Sequence, residues 1–123
     1  MKFFNFHLMP YRHADLDAIE RNGTAWVTYS NSHYDPPKGA ELYHEYLDQM
    51  EFADRLGFDG VCLNEHHQTA YGMMPTPGVL AGALARSVKR AKIAVLGLPT
   101  QLTGSRIRSS VNRMRFRKPK SKL

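Results

Sequence analysis

The 123-residue sequence contains one cysteine, Cys62, and no long hydrophobic segment. A single cysteine excludes an intramolecular disulfide and argues against a cysteine-based zinc site. No stretch approaches the roughly 20 consecutive apolar residues that a transmembrane helix requires. Residues 3–9 are mostly apolar, but Asn5 and His7 interrupt them and Pro10 ends them, which is unlike a secretory signal peptide. We therefore expect a cytoplasmic protein with no membrane partner.

Acidic residues are missing from the last part of the chain. Residues 98–123 contain eight lysines and arginines and no Asp or Glu, whereas residues 1–97 contain nine basic and eleven acidic residues. The formal net charge of +6 therefore belongs to residues 98–123, which we predict to be a disordered tail behind one domain, residues 1–97. Phe116 is the only aromatic residue of this tail. Without a stacking surface, a solvated tail is favoured over a nucleic-acid partner.

The rest of the chain alternates predicted strands with predicted helices. Strands are predicted over residues 2–9, 59–64 and 91–97, and helices over residues 39–56 and 76–88. Asp35, Pro36 and Pro37 mark the start of the first helix, and Gly57 marks its end. Residues 11–38 are predicted to form one long loop, a feature that usually has a function. The alternation predicts an α/β fold with a parallel sheet and right-handed crossovers.

Polar residues with catalytic chemistry follow the predicted strands. His7 closes the first strand, Glu65, His66 and His67 follow the second, and Gly97 ends the third. Because parallel strands all run the same way, their carboxyl ends meet at one edge, where α/β proteins bind ligands. A histidine can exchange protons near neutral pH, and an adjacent carboxylate can orient its ring. The pattern therefore predicts a functional site at the carboxyl edge of the sheet.

The segment Phe-Asp-Gly-Val-Cys-Leu-Asn-Glu-His-His at residues 58–67 follows Ala-Asp-Arg-Leu-Gly at residues 53–57. It places Glu-His-His directly behind a buried strand, and in this arrangement it resembles the second strand and following loop of bacterial luciferase-like monooxygenases. The opening Phe-Phe-Asn-Phe-His-Leu-Met-Pro-Tyr, residues 3–11, is similar to the first strand of that family. Residues 75–97 are similar to its second helix and third strand. The resemblance thus concerns the N-terminal portion of the family.

The resemblance implies the first three strands and two helices of a TIM (β/α)₈ barrel. It implies a flavin-dependent oxidoreductase that uses reduced FMN, or a related deazaflavin, with O₂ to oxygenate a small organic substrate, and a separate flavin reductase as partner. His66 corresponds to the active-site histidine beside the flavin ring, and Glu65 to a carboxylate near it, so both are candidate catalytic residues. Gly97 corresponds to the point where the backbone lies against the isoalloxazine. His7, at the end of the first strand, is a second candidate cofactor-binding residue.

Each of these residues also has a simpler structural interpretation. His66 could be a loop histidine that only hydrogen-bonds, Glu65 could pair locally, and His7 could be a satisfied core or rim histidine. His67 is expected to be structural, because neighbouring side chains of an extended chain point apart. No metal is expected, since three consecutive ligands rarely fit one tetrahedron. Trp26, in the long loop, could cover a substrate or simply anchor the loop.

A complete barrel of this type has eight strands and typically about 250 residues, whereas three strands are predicted here. The change of composition after Gly97 suggests a truncated or frameshifted copy with little activity alone. Barrel enzymes commonly hold cofactor phosphate on the loops after strands seven and eight, so we expect weak or no FMN binding. Open sheet edges favour self-association, so we expect a homo-oligomer. The alternative is a non-enzymatic fragment whose basic tail binds nucleic acid or an acidic partner.

Overall fold

A computed structural model describes residues 1–67 and 69–96 of the chain. It contains the strands β1 (Phe4–His7), β2 (Gly60–Leu63) and β3 (Lys92–Val95), the helices α1 (Leu16–Asn22), α2 (Pro36–Leu56) and α3 (Pro77–Ser87), and a 3-10 turn at Asn31–His33. Within the described ranges, no helix is both long enough and apolar enough to cross a membrane. The predicted basic tail, residues 98–123, lies outside the described residues, as does Gly97.

The three strands form one parallel sheet in the order β1-β2-β3. Phe4 pairs with Gly60 and His7 pairs with Leu63, so the first two strands end together. β2 lies in the centre, and all four of its residues are buried, as its uninterrupted apolar run predicts. The predicted α/β architecture with parallel strands is therefore confirmed.

A short helix not expected from the sequence lies between β1 and α2. α1 begins after Asp15, whose side chain accepts a hydrogen bond from the Ala18 N–H at 2.9 Å, and it ends at Gly23, where φ is 85°. The prediction of one continuous loop over residues 11–38 was therefore wrong. An N-cap aspartate and a C-cap glycine are standard helix signals, and both are present here. The segment between them is mostly polar and only seven residues long, which hides its helical period.

α2 begins at Pro36 rather than at Gly39. The Asp35 carboxylate accepts a hydrogen bond from the Lys38 N–H at 3.2 Å, and the prolines at the start of the helix have no N–H that would be left unpaired. Gly57, with φ of 90°, ends the helix as predicted. The helix is thus about one turn longer at its amino end than the sequence pattern predicts.

One face of the sheet packs against α2 and α3. Val61 and Leu63 of β2, Met50 of α2 and Leu84 of α3 are all 0% exposed and belong to one core cluster. Burying an aliphatic side chain completely contributes about 1.5–3 kcal/mol relative to leaving it in water. This layer of apolar contacts holds the sheet in place beneath the loops that follow β1 and β2.

On the opposite face of the sheet, the described residues leave β1 uncovered, whereas Cys62 of β2 is buried. Because side chains alternate between faces, Phe4 and Phe6 project on the same side as Cys62 and Ala94, away from Val61 and the helices. Phe4 is 44% exposed and Phe6 is 52% exposed. Among the strands that the structure describes, β1 and β3 lie at the two edges of the sheet. An apolar face and two unpaired edges are the features that favour association with further protein.

Two aspartates close the amino edge of the sheet. Asp54, at the end of α2, is 6% exposed and accepts hydrogen bonds from the backbone N–H groups of residues 89–91 at 2.9, 3.0 and 2.6 Å. Burial alone would raise the pKa of Asp54, but the three N–H donors outweigh it and the pKa is lowered. Asp59 accepts a hydrogen bond from the Phe3 N–H at 2.8 Å. The entry to β3 is thereby fixed to the end of α2.

Candidate functional site

Among the residues predicted to form the site, Glu65, His66 and His67 lie at the carboxyl edge of the sheet. Glu65, His66 and His67 follow Leu63, the last residue of β2. Backbone pairing continues past the strands, since the Leu96 N–H donates to the Leu63 carbonyl oxygen at 2.8 Å. In a parallel sheet this is the edge at which α/β proteins bind ligands. An antiparallel sheet, or a place at the amino edge, would have removed the basis of the flavoenzyme hypothesis.

The antiparallel staple, as we name it, is a backbone contact between residues 9–11 and residues 71–73. It consists of a bridge between Pro10 and Gly72, a hydrogen bond from Met73 N–H to Met9 O at 2.8 Å, and one from Tyr11 N–H to Tyr71 O at 3.1 Å. Met9 has φ of 46°, a left-handed conformation that costs a non-glycine residue about 1–3 kcal/mol. The turn at Met9 directs the chain from β1 towards the loop that carries the histidines.

His66 packs among aromatic rings and a glycine. Its backbone N–H donates to Met74 O at 3.0 Å, and its ring centroid lies 5.5 Å from that of Trp26 and 6.1 Å from that of Tyr71. A Cβ atom added at Gly72 would come within 2.6 Å of the His66 ring, so glycine makes this close approach possible. Among the described residues, neither ring nitrogen of His66 has a hydrogen-bond partner. The ring is therefore held by packing, with its nitrogens available to a ligand.

Glu65 pairs with His67 and not with His66. The Glu65 Oε1 atom lies 2.5 Å from the His67 Nε2 atom, and the side chains are 8% and 56% exposed, respectively. Alternate residues of an extended segment project to the same side, so positions 65 and 67 meet while position 66 points elsewhere. The expected orienting contact between Glu65 and His66 is not formed, and the same geometry gives His67 a carboxylate partner.

Several buried polar atoms at this edge lack a hydrogen-bond partner within the described part of the chain. They are both amide atoms of Asn64 and the Oε2 atom of Glu65, and Asn64 is 6% exposed. A buried polar group without a partner costs about 1–3 kcal/mol, so folds seldom retain one without a reason. These unpaired atoms next to the histidines therefore lower the stability of the fold at the carboxyl edge.

Two clefts open beside the histidines. One has a volume of about 400 Å³ and the other of about 240 Å³, and His66, His67, Thr69 and Gly72 line both of them. The larger cleft also has apolar and phenolic walls, formed by Tyr34, Tyr43, Ala70, Met73 and Pro75. The smaller cleft adds Trp26, Val27, Glu65 and Tyr71. No described lysine or arginine lines either cleft, so neither offers a cation to a phosphate or carboxylate.

The phenols of the larger cleft are uncharged near neutral pH. Burial is the main cause that raises the pKa of Tyr34, with Tyr11 and Asp35 adding to it. Burial, and then the nearby Tyr34, raises the pKa of Tyr43. Mostly apolar clefts with a few polar groups are the usual form of small-molecule sites. The lining of this cleft suits an uncharged organic ligand.

His7 lies at the same edge of the sheet, but its ring contacts α2. The His7 Nε2 atom is 3.0 Å from Gln49 Oε1, its Nδ1 atom accepts from the Met9 N–H at 3.0 Å, and its ring centroid is 4.6 Å from that of Tyr46. Both ring nitrogens of His7 have hydrogen-bond partners, which fits the interpretation of His7 as a structural histidine at the rim of the sheet. A role for His7 in cofactor binding stays a prediction, as does that of Gly97, which lies outside the described residues.

The remaining candidate chemistry is limited. Burial raises the pKa of the Cys62 thiol, which keeps it protonated and unreactive in the sheet. Within residues 1–67 and 69–96, no group of three or more His, Cys, Asp or Glu side chains could hold a metal ion.

The aromatic surroundings of His66 are the part of the site that sequence reasoning missed. Trp26 follows α1 and Tyr71 lies in the loop after β2, and their ring centroids are 6.1 Å apart with an angle of 30° between the planes. The sequence left open whether Trp26 covers a ligand or anchors its loop. In the structure it lies beside His66 and in the wall of the smaller cleft, while remaining 61% exposed. Gly72 gave the only local signal, as a glycine in a loop.

Comparison with known proteins does not identify the chain. No protein-family model matches it, and no curated protein matches it either.

Proposed function

We propose that residues 1–97 are the first three strands and the two connecting helices of a (β/α)₈ barrel of the luciferase-like flavin monooxygenase type. The activity we propose is that of an oxidoreductase acting with reduced FMN or a deazaflavin, O₂ and a small organic substrate. The observation that carries the proposal is the position of Glu65-His66-His67 directly behind the central strand of a parallel sheet. The open apolar face of the sheet supports it, since the interior of such a barrel is filled by side chains of its strands.

The site fits one part of the proposed cofactor. The isoalloxazine ring is flat and apolar on its faces, and the rings of Trp26, His66 and Tyr71 beside the smaller cleft offer matching surfaces. The phosphate of FMN needs cations or helix N–H groups, and no described lysine or arginine lines either cleft. The described residues therefore account for ring binding alone, which is consistent with the expectation of weak FMN binding.

The chain's own residues have separable tasks in this proposal. His66, which is held by Gly72 and Trp26, would contact the flavin ring, and Glu65 would supply the nearby carboxylate. The apolar and phenolic walls of the larger cleft would contact an organic substrate. Reduced flavin, when bound, supplies the electrons that activate O₂. A separate reductase would supply that flavin.

A titration with FMN and with lumiflavin, which has no ribityl phosphate, tests the proposal. We expect both flavins to bind more weakly than micromolar, with affinities that agree within about threefold, because only the ring is recognised. The replacement His66→Ala should weaken lumiflavin binding by about threefold or more, through loss of one ring contact worth about 0.5–1.5 kcal/mol. Flavin fluorescence quenching measures both affinities.

His44→Ala is the matched control, because His44 is exposed on α2 and lies outside both clefts. It should leave flavin affinity unchanged. Failure of lumiflavin to bind at millimolar concentration, or equal effects of the two histidine replacements, would count against the proposal. Micromolar binding of FMN by the chain would show that a phosphate site exists after all.

A further inference from the structure

We propose that His67, oriented by Glu65, is the residue that exchanges a proton with a ligand in the larger cleft. The ligand class is an uncharged organic molecule with a weakly acidic hydroxyl group. This inference deepens the proposed function and rests on it for the identity of the reaction. His66 keeps the place beside the flavin ring, and the two neighbouring histidines therefore have different tasks.

The first support is the isolation of the Glu65 carboxylate. Its Oε1 atom lies 2.5 Å from His67 Nε2, its side chain is 8% exposed, and its Oε2 atom has no partner in the described part of the chain. A carboxylate that is poorly hydrated and has one hydrogen-bond donor interacts with that donor strongly. The Glu65 carboxylate therefore orients the His67 ring through its Nε2 atom.

The second support is the accessibility of the other nitrogen of His67. The ring is 56% exposed and lines both clefts, and among the described residues nothing hydrogen-bonds to its Nδ1 atom. A proton held on Nε2 by the carboxylate leaves Nδ1 with a free lone pair, as in other carboxylate–histidine pairs. A ligand in the cleft can thus reach the basic nitrogen of the pair.

The third support is the lack of competing charge in the larger cleft. The titratable groups that line it with His67 are Tyr34, Tyr43 and His66, and no described lysine, arginine, aspartate or glutamate joins them. Burial raises the pKa of both tyrosines, so they stay neutral when histidine titrates. Glu65, which lines the smaller cleft, is the charged group at hydrogen-bond distance from His67.

The proton step is balanced within the site. The hydroxyl of the ligand donates its proton to His67 Nδ1, the O–H bond breaks, and its electron pair stays on the ligand oxygen. His67 becomes an imidazolium whose Nε2–H donates to the Glu65 carboxylate, which remains ionised. Return of the proton from Nδ1 reverses the step. Glu65 is a positioning residue, because it acts through His67.

A binding experiment with 4-nitrophenol tests the inference without any flavin. The probe is uncharged, and its phenolate absorbs visible light, so proton loss on binding is seen directly. Below the pH at which the probe ionises in water, the chain should raise the phenolate absorbance. The variants His67→Gln and Glu65→Gln should reduce that increase by about fivefold or more, because each removes one member of the hydrogen-bonded pair that takes up the proton. His44→Gln, at an exposed position on α2 outside both clefts, should retain it.

NMR of the histidine ring nitrogens provides the second measurement. In the wild type the nitrogen shifts of His67 should report the tautomer with its proton on Nε2, because Glu65 Oε1 lies 2.5 Å from that atom. Replacing Glu65 by Gln should weaken this preference, whereas the ring signals of His44 should not change. An unchanged tautomer for His67, or a phenolate signal that survives in His67→Gln, would overturn the inference. Neither measurement uses flavin. A failure of the inference about His67 can therefore be distinguished from a failure of lumiflavin binding.

Discussion

The amino and carboxyl edges of the sheet treat their polar groups in opposite ways. At the amino edge, the Asp54 carboxylate accepts three backbone hydrogen bonds. At the carboxyl edge, Asn64 and one oxygen of Glu65 are buried without partners in the described part of the chain. Asp54 and Asn64 are both 6% exposed, so a difference in burial does not explain the contrast. It indicates that the amino edge uses its carboxylate to secure the fold, whereas the carboxyl edge leaves buried polar groups unpaired at a cost in stability.

The largest effect is expected at the amino edge. Asp54→Asn should lower the free energy of unfolding by about 2–4 kcal/mol, because buried N–H donors lose a charged acceptor. Urea denaturation measures this, and Asp48→Asn, at an exposed position on α2, is the control and should change stability by less than about 0.5 kcal/mol. Equal effects at the two positions would remove the distinction between the edges.

The same carboxylate makes stability depend on pH. The pKa of Asp54 is lower in the folded chain than in the unfolded chain, since the three N–H donors outweigh the opposing effect of burial. Its contribution is therefore complete above the unfolded-state pKa and is lost as the pH falls through the folded-state pKa. The stability difference between the wild type and Asp54→Asn should shrink below about pH 4. A difference that stays constant in acid would contradict this assignment.

A smaller effect is expected from crowding His66. Gly72→Ala places a methyl group within 2.6 Å of the His66 ring and should destabilise the chain by about 1–3 kcal/mol. It should also change the fluorescence of Trp26, the only tryptophan, by moving the ring beside it.

Gly82→Ala is the matched replacement, because a Cβ atom there meets nothing within 4 Å and the residue lies within α3. It should stabilise the chain by about 0.5–1 kcal/mol through helix propensity. If both alanines stabilise, the loop is not packed as tightly around His66 as the structure has it.

The smallest effect has the opposite sign from most core replacements. Asn64→Leu exchanges an amide without partners for an apolar side chain of similar size and should stabilise the chain by about 1 kcal/mol. Asn64→Ala should not give this gain, because it leaves a cavity. Thermal unfolding of the wild type, Asn64→Leu and Asn64→Ala measures these differences in stability. If Asn64→Leu is destabilising, Asn64 has a partner, and the carboxyl edge does not leave its polar groups unpaired as the comparison requires.

The sequence predicted the sheet well because its signals are local. The unbroken run Val-Cys-Leu marked a strand buried on both faces, and Gly57 marked the end of a helix. α1 was missed because its caps, Asp15 and Gly23, flank a segment that is too short and polar to show a period. Each of these successes and failures follows from interactions between residues close together in the chain.

The site was predicted in position but not in its contacts. Parallel topology fixed the edge at which Glu65 and His66 lie, and that part followed from the order of elements. The aromatic contacts of His66 with Trp26 depend on how two loops fold over each other, which no local pattern encodes. The pairing of Glu65 with His67 could have been found, because residues two apart in an extended segment share a side.

The antiparallel staple has a consequence for how the site moves. The amide hydrogens of Tyr11 and Met73 are bonded across it, and that of His66 is bonded to the adjoining Met74. Separating the two loops would release these hydrogens together, so they should exchange with solvent in one cooperative event. The histidine loop would then open only when its hydrogen bonds to residues 9–11 are broken.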